Sequence, residues 1–309
     1  MPDPAPRILP FGEPALAEAA RLIADGQPVA VPTETVYGLA ADATRPDAVA
    51  RIYAAKGRPS FNPLIVHAPD LETAEALAVF DADARALAES FWPGPLTLVL
   101  PLREGAPVAS LVTAGLSTVA IRVPAHRAMQ ALLRAAGKPL AAPSANRSGH
   151  ISPTRAEHVG VSLGAAVPLI LNDGPTEAGL ESTIVGGRTI LRPGPITAEQ
   201  VAAILGPLNE RTGDAITAPG QLLSHYAPSK PVRLDATAAG ADEWHIGFGP
   251  VAGDDNLSAR GDLTEAAAHL FDALHRADAA TKPRIAVAPI PCDGIGEAIN
   301  DRLRRAAHA

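Results

Sequence analysis

The stretch of residues 29–67 constrains the fold of this chain more than any other part of it. An apolar run at residues 29–31 opens it and predicts a buried strand, and residues 64–66 predict a second strand. A helix pattern lies between them, with Pro46 in its first turn and Gly57 where a left-handed cap would end it. Strand, helix and strand in this order predict an α/β domain.

Polar side chains cluster at the ends of these predicted elements. They are Thr33, Glu34 and Thr35 after the first strand, Lys56 and Arg58 at the helix end, and Asn62 and His67 around the second strand. Ligands of α/β proteins bind outside strand ends where loops converge, so this distribution predicts a small-molecule site. An alternative stays open, because cations beside a helix C-terminus also favour the helix dipole, and a lone histidine can simply be a hydrogen-bonded core residue.

The composition limits the classes of protein to which the chain can belong. Its 309 residues suffice for one large domain or two ordinary ones, and 47% hydrophobic residues support a packed core. A net charge of −7 argues against a broad basic face for nucleic acid but permits a local cationic pocket. Cys292 is the single cysteine, which excludes an internal disulfide and a cysteine-based zinc site.

The N-terminal residues show neither a basic region nor an apolar segment typical of a signal peptide. No apolar run approaches the ~20 residues of a membrane span. We therefore expect a cytoplasmic protein that has no contact with membranes.

The periodicity predicts two domains joined by a linker. Residues 1–206 carry alternating strands and helices, including a helix that Ser152 would cap, with Pro153 at its first position, and a hairpin around Gly186 and Gly187. Residues 207–229 lose periodicity and read as a linker. Residues 230–309 alternate strands and helices again, which predicts a small α/β domain with a largely parallel sheet.

Several familiar catalytic signatures are missing. The sequence has no phosphate-binding P-loop and no zinc-binding H-E-x-x-H, and the spacing of Gly247, Gly249 and Gly253 fits an ordinary turn better than a dinucleotide motif. Ser144 lacks the glycines of a nucleophile elbow and has no obvious triad partners. A covalent mechanism is therefore not indicated.

What remains is a set of cations, hydroxyls and amides at predicted strand ends. The set comprises Thr35, Lys56, Arg58, Asn62, His67, Thr118, Arg122, Ser144, Ser152, Ser182 and Arg192. Arginine can bind either phosphate or carboxylate with two hydrogen bonds. A site that only positions its substrates and neutralises their charge suits nucleotidyl transfer, in which pyrophosphate leaves with the help of a cation.

At these positions the sequence resembles the YrdC-type threonylcarbamoyl-AMP synthases. The motifs that carry the resemblance are PTETVYGL, KGR at residues 56–58, NPLIVH, WPGPLT, SAN at residues 144–146, and STIV. GQLLSHYAPSKP in the linker and DGIGEAINDRLRRA near the C-terminus resemble the long, two-domain form of this family. The motifs run in the same order over almost the whole chain.

The resemblance implies a fold and a reaction. The fold would be a twisted mixed α/β sheet with a large concave cavity, followed by a smaller Rossmann-like α/β domain. The reaction would join L-threonine, bicarbonate and ATP into threonylcarbamoyl-AMP and release pyrophosphate. Mg²⁺ would arrive with ATP, no organic cofactor would be needed, and the product would pass to the tRNA threonylcarbamoyl transferase complex for modification next to the anticodon.

The resemblance also implies roles for individual residues. The threonine site would use Thr35, His67, Arg122, the backbone of Ala142 and Ser182. The ATP site would use Arg58, Asn62, Thr118, Ser144, Ser152, Arg192 and, from the linker, Tyr226. Lys56 and Arg58 would stabilise charge on the phosphates. No acid–base residue and no metal-binding residue is assigned, and a positioning role is favoured for His67 over that of a base.

Two other classes of protein fit the sequence less well. The hydrogenase-maturation carbamoyltransferases contain the same type of domain, but they also carry cysteine-rich zinc fingers, for which one cysteine leaves no room. An RNA-binding module without catalysis is disfavoured by the acidic charge balance and by the absence of aromatic stripes in the sequence.

Overall fold

The computed structural model describes residues 6–210 and 225–308. These residues form two sheets, one of ten strands and one of four, with helices packed against both. Part of the predicted linker, residues 211–224, lies outside the described residues. So do residues 1–5 of the predicted first domain and residue 309 of the predicted second domain. Within the described ranges, no helix is long and apolar enough to cross a membrane.

The large sheet takes all its strands from the first two thirds of the chain. They are β1 (Arg7–Pro10), β2 (Val29–Pro32), β3 (Tyr37–Asp42), β4 (Ile65–His67), β5 (Leu96–Pro101), β6 (Thr118–Arg122), β7 (Leu140–Ala141), β8 (Leu169–Asn172), β9 (Thr183–Gly186) and β10 (Thr189–Arg192). The order is β1-β8-β2-β3-β7-β4-β6-β5-β9-β10. Four pairs are parallel and five antiparallel, so the sheet is mixed, as the resemblance predicted.

The helices that pack against this sheet are α1 (Glu13–Ala24), α2 (Pro46–Lys56), α3 (Leu71–Leu77), α4 (Ala82–Phe91), α5 (Ser110–Thr113), α6 (Arg127–Ala136), α7 (Ala156–Leu163) and α8 (Ala198–Leu205). Most of their ends follow sequence rules. Gly57 ends α2 in the left-handed conformation, with φ of 58°, and Asp70 and Asp81 cap α3 and α4 through their carboxylates. The predicted hairpin forms between β9 and β10.

The C-terminal sheet is small and entirely parallel. Its strands are β11 (Val232–Arg233), β12 (Glu243–Gly247), β13 (Asp255–Asn256) and β14 (Arg284–Val287), in the order β11-β14-β12-β13, flanked by the helices α9 (Leu263–Ala279) and α10 (Gly296–Ala306). The parallel sheet predicted for this region is confirmed. Gly247 and Gly249 belong to a tight turn in which Phe248 pairs with Val251, as the spacing of the glycines indicated.

One predicted helix start is wrong. Ser152 and Pro153 do not open a helix, because α7 begins four residues later, at Ala156, with Arg155 at its N-cap position. The Ser152 hydroxyl donates instead to the carboxylate of Glu181, and its side chain is fully buried. The polar partner in the fold outweighs the local capping preference.

Candidate active site

A cavity lies where the ends of several strands of the large sheet meet loops from both halves of the chain. Its lining comprises Thr33, Thr35, Val36, Gly38, Arg58, Ile65, His67, Arg122, Ala142, Pro143, Ser144, Glu181, Ser182, Arg192, His225 and Tyr226. Nine of the thirteen residues that the resemblance predicted are in this lining. The cavity measures about 50 Å³ and holds only a few water molecules.

Strand register brings the first group of predicted residues together. β4 and β6 run parallel, and His67 pairs with Arg122 in the ladder, so both strands end at the same level of the sheet. Thr35 reaches this level from the loop after β2, where Thr33 closes a turn by accepting from the Thr35 and Val36 amides. The Arg122 guanidinium donates to the Thr35 hydroxyl at 2.9 Å.

The Arg122 side chain is held on three sides and still has donors to spare. Besides Thr35 it donates to the Gly94 carbonyl at 3.2 Å and to a Glu34 carboxylate oxygen at 2.6 Å. A guanidinium has five N–H groups, so two remain for a ligand, one on each terminal nitrogen. This arginine at the end of β6 therefore belongs to the cavity and is positioned to bind an anion.

Glu34 is a functional residue that sequence reasoning noted but did not assign to the site. One carboxylate oxygen accepts from Arg122, and the other accepts from the amides of Ala125 and His126. Although burial alone would raise it, the pKa of Glu34 is lowered by the charge and hydrogen bond of Arg122 and by backbone amides. Glu34 therefore stays ionised behind Arg122 and fixes its orientation.

His67 is neutral in the folded protein. Burial, helped by the neighbouring Arg122 charge, lowers the pKa of His67 to about 3. Its Nδ1 has no hydrogen-bond partner among the described residues, and the residue is buried, with only 2% of its surface exposed. A buried ring nitrogen without a partner is uncommon and fits a group that waits for a ligand.

This shift predicts a pH dependence of stability. Between pH 3 and 6.5 the unfolded chain protonates His67 while the folded protein does not, so protonation stabilises the unfolded chain. His67 therefore leaves the free energy of unfolding unaffected above pH 6.5 and lowers it as the pH falls below that value. His67→Asn should flatten the dependence of the unfolding free energy on pH in this range by about 1.4 kcal/mol per pH unit, measured by urea denaturation. His308→Asn, at an exposed position near the chain end, should leave the slope unchanged. An unaltered slope in the His67 variant would show that His67 is charged in the fold.

A second group of predicted residues lines the other part of the cavity, around two buried arginines. Arg58 follows α2 and donates to the Asn62 side chain at 2.7 Å and to the Asn62 and Pro63 carbonyls. Arg192 ends β10 and donates to the carbonyl and hydroxyl of Ser182. In both arginines these bonds use Nε and Nη2 and leave the two N–H groups of Nη1 for a ligand.

Both arginines remain cationic at neutral pH. Burial lowers the pKa of Arg58 to about 10 and also lowers the pKa of Arg192. Two buried guanidiniums with spare donors form a strong binding site for a polyphosphate, because each can still donate two charged hydrogen bonds from Nη1 to phosphate oxygens.

The described end of the predicted linker closes this part of the cavity. His225 and Tyr226 both line it, and their rings pack edge to face with centroids 4.1 Å apart. Ala227 anchors them through a bridge to His150 and a hydrogen bond to the Gly149 carbonyl. The Tyr226 hydroxyl makes no hydrogen bond within the described residues.

Four predicted residues are not in the cavity lining. Asn62 and Ser152 lie directly behind it, where they bind Arg58 and Glu181. Lys56 is buried and its ammonium donates to the carbonyls of Ser144 and Asn146, and burial lowers its pKa well below the ordinary value. Thr118 opens β6, four residues and thus roughly 13 Å from the Arg122 end of that strand.

The lining holds one acidic side chain, Glu181, and both of its oxygens accept hydrogen bonds, from Ser152 and from Arg302. In the part of the chain that the structure describes, no three histidine, cysteine or acidic residues are grouped so that they could hold a metal ion. The arrangement offers fixed cations, hydroxyls and amides, and its chemistry is the positioning and neutralisation of anionic groups.

Comparison with known proteins identifies the family. The Sua5/YciO/YrdC family model, described as "Telomere recombination", matches residues 21–194. The chain belongs to this family. A second model, described as "Threonylcarbamoyl-AMP synthase, C-terminal domain", matches residues 196–308 of this Sua5/YciO/YrdC protein. The resemblance drawn from the sequence motifs is thereby confirmed.

Individual relatives of this Sua5/YciO/YrdC protein match along nearly its full length. The threonylcarbamoyl-AMP synthase of Bacillus subtilis is 41% identical, with 97% of this chain and 94% of the relative covered. The threonylcarbamoyl-AMP synthase of Pyrococcus abyssi is 38% identical, with 94% and 93% covered. The crystal structure of P. abyssi Sua5 complexed with L-threonine superposes with a TM-score of 0.90 at 36% identity and covers 97% of each chain. The predicted fold class is confirmed by this superposition.

Proposed function

We propose that this protein is a threonylcarbamoyl-AMP synthase that condenses L-threonine, bicarbonate and ATP into L-threonylcarbamoyladenylate and pyrophosphate. The observation that carries the proposal is the cavity, in which an arginine with two spare donors stands beside a neutral histidine, and two further arginines with spare donors line the same cavity. Full-length similarity to threonylcarbamoyl-AMP synthases supports it independently.

The part of the cavity around Arg122 is the proposed threonine site. Arg122 binds the threonine carboxylate, since its spare N–H groups match two carboxylate oxygens. Thr35, Ser182 and the backbone of Ala142 bind the polar groups of threonine. His67 positions the substrate, because a pKa near 3 makes its neutral ring a poor base at neutral pH.

The part around Arg58 and Arg192 is the proposed ATP site. These arginines bind the phosphates, Ser144 and Tyr226 line the site beside them, and Asn62 and Ser152 act from behind by holding Arg58 and Glu181. Lys56 likewise acts from behind, by holding the backbone of Ser144 and Asn146. Thr118 lies at the end of β6 opposite to Arg122, so it could contact only a part of ATP that extends beyond the cavity lining.

The mechanism follows from these groups. The threonine amine combines with bicarbonate to form a carbamate with loss of water, and a carbamate oxygen attacks the α-phosphorus of ATP. The bond to pyrophosphate breaks while Arg58 and Arg192 offset the charge that develops on the leaving group. Mg²⁺ bound to the ATP phosphates would supply further positive charge. We assign no described residue as the acceptor of the proton that the threonine ammonium group loses.

The segment of His225 and Tyr226 covers the ATP site from the linker. We divide the chain accordingly into a catalytic domain (residues 1–206), a covering linker (207–229) and a C-terminal domain (230–309). We place the enzyme in the cytoplasm, where its product would pass to the tRNA threonylcarbamoyl transferase complex.

The proposed function predicts a specific product. Incubation of the full-length protein with ATP, L-threonine and ¹³C-bicarbonate should yield a threonylcarbamoyladenylate whose mass includes one labelled carbon. Serine in place of threonine serves as the specificity control. An adenylate that lacks the label, or the absence of any adenylate, would contradict the proposal.

A further inference from the structure

Arg302 in α10 is a fully buried arginine that belongs to the C-terminal part of the chain and reaches the cavity wall. It donates to Glu181 at 2.8 Å, to the Pro193 carbonyl at 3.0 Å and to Asp301 at 2.7 Å. Its exposure is 0%, and it has the largest fully buried side chain of the described residues. A buried arginine is retained only where its charge is matched by partners, so these contacts are essential to its placement.

The partner that matters for the cavity is Glu181. This carboxylate lines the cavity among the arginines that the proposed function assigns to ATP, and an unpaired negative charge there would repel phosphate. One of its oxygens accepts from Ser152 and the other accepts from Arg302. Glu181 is therefore ion-paired with Arg302 and fixed in orientation.

Arg302 also supports the ring of Tyr226. Its guanidinium carbon lies 5.1 Å from the Tyr226 ring centroid, within the range of a cation–π contact, and Phe271 of α9 packs on the same ring. Tyr226 adopts a left-handed backbone conformation, with φ of 64°, which is strained for a residue with a large side chain. Contacts with the C-terminal helices help to hold it in that conformation.

We propose that Arg302 is a positioning residue for the ATP site. Through Arg302 the C-terminal domain balances the charge of Glu181 and holds the ring of Tyr226 in place. Burial alone would lower the pKa of Arg302, but the phenol of Tyr226 and the carboxylates of Glu181 and Asp301 raise it, so the guanidinium stays charged. Arg302 lowers the pKa of Arg192 and Glu181 raises it, so the two members of the ion pair act on Arg192 in opposite directions. This inference rests on the proposed function, because ATP is the ligand whose binding it governs.

The test compares full-length variants in the synthase assay. Arg302→Met leaves Glu181 as a lone buried charge, and we expect the KM for ATP to rise at least about tenfold while the KM for threonine changes less than about threefold. Arg304→Met is the matched control: it makes the same change on the exposed face of α10 and should behave as wild type. Glu181→Gln combined with Arg302→Met removes both charges, and this double variant should recover most of the loss in ATP binding.

The outcomes separate three explanations. A merely structural role of Arg302 would lower the thermal midpoint and the yield of folded protein but leave the KM for ATP unchanged, and that result would overturn the inference. Equal rises in the KM for both substrates, or no recovery in the double variant, would overturn it as well. If the wild-type protein makes no adenylate, the proposed function itself fails, whatever the variants show.

Discussion

Replacing Arg122 with methionine is expected to raise the KM for threonine about 100-fold or more while leaving the KM for ATP within about threefold. Two hydrogen bonds from a guanidinium to the threonine carboxylate are lost, and each charged hydrogen bond contributes roughly 1.5–3 kcal/mol. Steady-state kinetics with one substrate varied and the others saturating measure both values.

The control for this variant follows from Glu34. Removal of Arg122 alone leaves the Glu34 carboxylate buried without its cation, which destabilises the protein. The double variant Glu34→Gln with Arg122→Met avoids that charge and should keep the raised KM for threonine. Comparable rises in the KM for threonine and for ATP would remove the assignment of Arg122 to the carboxylate.

Replacing Arg58 with methionine is expected to lower kcat/KM for ATP by at least about 100-fold, with little change in the KM for threonine. Arg58 offers the N–H groups of its Nη1 to phosphate and neutralises charge on the departing pyrophosphate, so its loss weakens both ATP binding and the transition state.

The matched control is Arg51→Met, which removes an exposed arginine from α2, the helix that Arg58 follows. This variant should retain wild-type values for both substrates. If Arg58→Met affected threonine as strongly as ATP, the division of the cavity into two substrate sites would be wrong.

Elements with strong local signals could be predicted from the sequence. α2 ends at Gly57, and the hairpin of β9 and β10 forms around Gly187, because these signals act within a few residues. β3 (Tyr37–Asp42) was missed. Its sequence YGLAAD has low strand propensity, and all six residues are buried, so no alternation marks it. Pairing with β2 and β7 imposes the strand. β1 was missed as well, because its parallel pairing with the distant β8 leaves no local signal in the sequence.

The site shows the same limit. Thr35 and His67 lie in motifs and Arg122 lies at a predicted strand end, and the register of β4 and β6 explains why His67 and Arg122 meet. Glu34 and Glu181 were left unassigned because the partners that define their roles lie 88 and 121 residues away along the chain. The prediction that Ser152 caps a helix was wrong for the same reason, because its partner Glu181 lies 29 residues away. A local pattern cannot reveal a partner that only the fold brings near.

The central claim is that the cavity joins threonine, bicarbonate and ATP in a single reaction. Pyrophosphate release by the full-length protein, measured with all three substrates and with each omitted in turn, tests it most directly. We predict rapid release with the complete mixture and a fall to background when threonine, bicarbonate or ATP is left out. Release that continues without threonine would contradict the account.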